Sequence, residues 1–109
     1  MRDQPEEWDR QAREAQAKAA QAYARLITLA EKTDSGQAGV IARFLACTYS
    51  SVFKLDLFDL RRLDANLADD VLACIDALRW GKSDLCHLVP DGDERIQRLI
   101  RDWGIKAGD

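Results

Sequence analysis

The chain has 109 residues, 47% apolar and 32% charged, with 16 Lys and Arg set against 19 Asp and Glu for a net charge of −3. Those values suit one globular domain able to bury roughly 60–65% of its unfolded surface. They exclude wholesale disorder, and the acidic balance is not that of a generic nucleic-acid binder.

Cys47, Cys74 and Cys86 are odd in number and lack CxxC spacing. Neither a disulfide framework nor a zinc site is indicated, and a reduced cytoplasm is the expected compartment. The start, MRDQPEEW, opens no apolar signal core, and no apolar run reaches the roughly 18–20 residues a bilayer requires. No cofactor, metal or membrane is expected.

In chain order, Asp3 is the expected N-cap of a first helix, with Pro5 in its first turn and Glu6 and Glu7 near its positive end. Nothing breaks this alanine-rich helix before Lys32, so it spans residues 1–32 and reaches roughly 40 Å. Trp8, Ala12, Ala15, Ala19, Ala22, Leu26 and Leu29 recur in steps of four and three, the period of a coiled-coil seam. Two placements are open. Either the helix lies along its own bundle with Tyr23, Leu26, Ile27 and Leu29 in the core, or Trp8–Ala22 protrudes and pairs with a second copy or another protein.

Thr33–Gly36 is a breaker cluster, and a helix over Gly36–Ser51 should follow, burying Val40, Ile41, Phe44, Leu45 and Thr48. Gly39 marks a close crossing there. A connection anchored by Val52, Phe53 and Leu55 leads to a short helix capped by Asp56 and carrying Leu57, Phe58, Leu60 and Leu63. Asp64 caps the next helix, which ends near Trp80 with Gly81 as its stop. Its stripe of Leu60, Leu63, Leu67, Val71, Cys74, Ile75 and Leu78 has helical spacing and reads as the buried face. Residues 82–90 read as a helical turn or a short β-ribbon. A turn at Asp91–Asp93 then leads to a last helix, Glu94–Trp103.

Ser35-Gly36-Gln37, Phe44-Leu45 with Tyr49, the run Asp56–Asp64, Asp69-Asp70 with Leu72, and Val89–Gly92 together carry a resemblance. Over roughly residues 23–92 the chain resembles short proteobacterial proteins of unknown function encoded by prophages and integrative elements. It departs from them at Leu55 and Phe58, where that group has an aromatic and then a small polar residue. The resemblance carries over no catalytic residue. It implies an accessory protein of a mobile element that binds a host or rival protein.

Three constellations remain. Cys86-His87 is the only thiol–imidazole pair, but adjacent residues point in different directions, so packing with a surface histidine is the expected role. Asp56, Asp59, Asp69 and Asp70 belong to a stretch with six aspartates against two arginines, and form an acidic ridge suited to a protein partner. Arg95, Arg98 and Arg101 line one flank of the last helix and supply the alternative, a small dimeric DNA-associated regulator.

The expected protein is therefore all-α, a single compact bundle of four to six helices, with residues 33–104 as the helical core. Its expected function is a non-enzymatic protein-interaction module, using the seam Trp8, Ala12, Ala15, Ala19 and Ala22 and the acidic ridge as partner surfaces.

Overall fold

The computed structural model describes residues 4–108, with side chains from Glu6 onward. The expected cap at Asp3 and the side chain of Pro5 lie outside the described residues. The elements are helix α1 (Gln4–Lys32), helix α2 (Gly36–Tyr49), a 3-10 helix (Leu57–Arg62), helix α3 (Ala65–Leu78), a second 3-10 helix (Leu85–Leu88) and helix α4 (Gly92–Asp102). The described residues contain no strand, and the fold is an all-α bundle.

Local rules set most boundaries. The Ser35 hydroxyl accepts from Ala38 N at 3.2 Å and starts α2. Asp56 accepts from Phe58 N at 2.9 Å, and Asp64 from Leu67 N at 2.9 Å, so both aspartates are the expected caps. Gly81 and Gly104 stand in the left-handed region just past α3 and α4, where a side chain is penalised. Between Lys82 and Pro90 the chain forms a 3-10 turn rather than a ribbon, burying Leu85 and Cys86.

Helix α4 begins at Gly92, two residues before its expected start, because Gly92 is pressed against the preceding turn. A Cβ built there would lie 1.9 Å from the Cys86 carbonyl oxygen. Asp91 makes the bend with φ of 56°, an αL conformation that Asp tolerates better than most residues.

Helix α1 is the axis of the molecule, whose longest extent is 47 Å. Helix α3 runs antiparallel along one flank, as two links at either end of their overlap require. Arg25 holds Asp70 near the start of α3, and Lys82 Nζ lies 2.9 Å from Asp9 Oδ1 beyond its end. Helices α2 and α4 pack together on α1, and Trp103 closes that side by donating to the Ala30 carbonyl at 3.1 Å. Gly39 admits the Trp103 ring, whose Cζ3 would stand 3.5 Å from a Cβ, so the expected close crossing is made by this indole.

The protruding seam is corrected by this arrangement. Ala12, Ala15, Ala19 and Ala22 are all buried within the chain itself. Their small side chains let α1 and α3 approach closely, and the approach leaves no free alanine face. Only Trp8, 54% exposed, keeps a large apolar surface at that end.

The core joins Tyr23, Leu26 and Ile27 of α1 to Ile41 and Leu45 of α2, Val71 and Cys74 of α3, and Ile96 and Leu99 of α4. The Tyr23 hydroxyl within it is satisfied. Thr48 donates to the Leu45 carbonyl at 2.7 Å, so the Tyr23 hydroxyl, 2.8 Å from Thr48 Oγ1, is the donor in that second bond.

Candidate functional site: an apolar cleft between α2 and α3

Helix α3 is covered on the α1 side and far less on the opposite side. Of its apolar stripe, Val71 and Cys74 are fully buried, whereas Ile75 and Leu78 are 39% and 44% exposed. The stripe is wider than one neighbouring helix can cover. Leu72 continues the exposed ridge one turn earlier, at 57%.

The first 3-10 helix leans on α2 and supplies the third wall. Phe44 and Cys47 from α2, Leu55, Leu57 and Leu60 from the connection, and Ile75 and Leu78 from α3 enclose a cleft of about 160 Å³ whose lining is almost wholly apolar. Leu57 and Phe58, which the short helix was expected to carry, are 72% and 71% exposed, and that helix buries no residue fully. Leu57 and Leu60, three residues apart, share a side of this 3-10 helix: Leu60 packs against the core and Leu57 lines the outer part of the cleft, while Phe58 is turned about a third of a turn away. Arg61 lies over the Phe58 ring at 5.4 Å.

The acidic ridge is mostly engaged internally. Arg25 grips Asp70 with two hydrogen bonds of 3.0 and 2.8 Å, and Asp59 lies 3.5 Å from Arg43 and 3.8 Å from Arg62. Asp56 and Asp64 cap helices, and Asp76 pairs with Arg79 at 2.6 Å. Among the described residues Asp69 alone of the six has no partner, and Arg61 is the matching cation without a carboxylate.

The arginine row is divided in the same way. Arg95 makes a bidentate pair with Glu31 at 2.9 and 2.8 Å, which holds the Glu31 carboxyl below its ordinary value and raises the Arg95 guanidinium. Arg98 and Arg101 stay exposed. Arg98 borders a wide groove of about 700 Å³ between the end of α1 and α4, whose walls mix Lys32 and Arg98 with Asp34 and Asp102. Mixed signs give that groove no bias toward phosphate.

Cys86 is nearly covered and belongs to the core cluster, whereas His87 is exposed; both line a pocket with Thr48, Tyr49, Asp84 and Asp93. Burial, then the negative charges of Asp93 and Asp84, push the Cys86 thiol up, and burial does the same at Cys47 and takes Cys74 to about 12. Protonated thiols are poor nucleophiles and poor metal ligands. Tyr49 donates to Asp93 and Gln97 donates to the Tyr49 hydroxyl at 2.7 Å, which closes this corner into a structural network. Among the described residues no three Cys, His, Asp or Glu side chains gather to hold a metal ion, and no helix is long and apolar enough to cross a membrane.

The sequence-predicted sites thus include Asp56 and Asp59, which flank the cleft residue Leu57 and its neighbour Phe58, but miss the cleft itself. One signal points to it: Leu57-Phe58 puts consecutive large apolar residues, the first of them a cleft residue, inside a short aspartate-flanked helix. Residues 20–104 match the family of unknown function DUF7673, and the chain belongs to that family. The match begins within α1 and takes in every wall of the cleft. No curated protein and no solved structure matches the chain.

Proposed function

We propose that this chain is a non-enzymatic protein-interaction module, an accessory or inhibitor protein of a mobile element, and that its association runs through the apolar cleft. The observation that carries the reading is the exposure of Leu57, Ile75 and Leu78, at 72%, 39% and 44%, in the lining of one apolar cleft. Large apolar side chains gathered on one face mark interaction sites on small proteins. Several groups able to do chemistry, by contrast, are already engaged: Glu31 by Arg95, Asp93 by Tyr49, and the Cys74 and Cys86 thiols by burial. The mobile-element context comes from the sequence resemblance over residues 23–92.

A tagged pull-down from a bacterial lysate, with and without nuclease, tests the reading. Recovery of one stoichiometric protein that survives nuclease and is lost with Ile75→Glu supports it. Recovery that vanishes with nuclease overturns it in favour of DNA association through Arg98 and Arg101.

A further inference from the structure

We infer that the pocket where the chain after α4 folds back against α2 binds a small phosphate monoester. This pocket shares no lining residue with the apolar cleft, so the two sites stand or fall separately.

The returning chain builds the pocket. Past α4, Gly104 takes a φ of 66° and turns the backbone, and Ile105 N donates to the Ile100 carbonyl at 3.0 Å. Gly108 N then donates to the Val52 carbonyl at 2.9 Å, which lays this segment along the connection that follows α2. The approach is close: a Cβ on Gly108 would stand 2.5 Å from Lys54 Cγ. Arg43 of α2, Lys54 of the connection and Lys106 of the returning segment thereby line one cavity of about 280 Å³.

Charge sets this cavity apart. Three cations line it and, among the described residues, no carboxylate does, in a chain whose net charge is −3. The groove beside α4 and the one between α1 and α3 mix both signs, with Asp34 and Asp102 in the first and Glu14 and Asp76 in the second. Lys54 donates to the neutral Ser51 carbonyl at 2.9 Å, and Arg43 lies 3.5 Å from Asp59, a carboxylate it shares with Arg62 at 3.8 Å. Both heads keep donors to spare. Like charges gathered along a concave wall focus their potential on an anion.

Three positive charges favour a dianion over a carboxylate. A phosphate monoester carries about −1.5 to −2 at pH 7 and presents three acceptor oxygens. The volume is near the roughly 300 Å³ at which small-molecule pockets begin, which leaves space for a small organic body. Trp103 and Ile105 supply its apolar wall. Gly39 stands beside both the Trp103 ring and the Arg43 guanidinium, so ring and cation share one side of the pocket.

Amide chemical shifts of the isotope-labelled chain test the inference, with phenyl phosphate, inorganic phosphate, benzoate and a short DNA duplex titrated in turn. Phenyl phosphate should move the Gly104, Lys106 and Gly108 amides and saturate with a dissociation constant of about 1 mM or below. Lys54→Gln and Lys106→Gln, both at exposed positions, should each weaken it about five-fold or more. Lys82→Gln, at a residue that pairs with Asp9 near the start of α1, should leave it unchanged. Absence of saturable shifts overturns the inference, as does a constant indifferent to Lys54→Gln and Lys106→Gln. Inorganic phosphate binding as tightly removes the organic body, and benzoate binding as tightly removes the phosphate. A duplex that moves the same amides more tightly than phenyl phosphate assigns the pocket to a nucleic-acid backbone instead.

Discussion

Arg95 of α4 holds Glu31 of α1 through two parallel hydrogen bonds, Nε to Oε2 at 2.9 Å and Nη2 to Oε1 at 2.8 Å. The pair ties the last helix to the end of the first. It also engages with a carboxylate the arginine that a nucleic-acid reading of α4 needs first. About a quarter of each side chain remains wet, 23% for Arg95 and 27% for Glu31, so solvent screening keeps the contribution near about 1 kcal/mol.

Glu31 should show this as acid sensitivity. Its folded value lies below the ordinary 4.5. The stabilisation is therefore fully present above that value and is lost as pH falls through the lowered folded one. Glu31→Gln should lower the melting temperature by a few degrees at pH 7 and leave a shallower decline below about pH 4.5 than the wild type shows. Thermal melts across a pH series check it; identical acid limbs would show that the pair contributes nothing.

Ala19 should behave as a core residue. It is fully buried where α1 meets α3, so Ala19→Glu forces an unpaired carboxylate into a contact sized for a methyl group. Expected is a loss of about 3 kcal/mol or more, against almost none for Ala17→Glu on the exposed face. Urea denaturation of the two variants separates them. Equal stability would return the alanine face to the surface.

The three thiols should label in a fixed order. Cys47 is partly exposed in the cleft, Cys86 is nearly covered, and Cys74 is fully buried with its thiol raised to about 12. Alkylation of the native protein at pH 8, read by mass spectrometry, should reach Cys47 first and Cys74 only on unfolding. Cys86 should react more slowly than a free thiol, because thiolate is the reacting form. Rapid, selective alkylation of Cys86 would instead point to an activated nucleophile beside His87.

Elements set by neighbours along the chain were legible in advance. Asp56 and Asp64 cap the elements they were expected to cap, and Ser35 of the expected breaker cluster caps α2, because each bond reaches only two or three residues onward. Gly81 ends α3 for the same local reason. The early start of α4 was not legible, since it depends on the Cys86 carbonyl resting against Gly92 across a turn.

The amino-acid sequence by itself determined the class of this protein: an all-α bundle, its helix order, its alanine seam and its apolar stripes. Periodicity states that a face is apolar and is silent on what covers it. Only the tertiary structure decided that α3 takes the seam, that Arg25 and Arg95 spend themselves on Asp70 and Glu31, and that Ile75 and Leu78 stay open. Those outcomes depend on which helices meet, a competition among distant surfaces that no local spacing encodes.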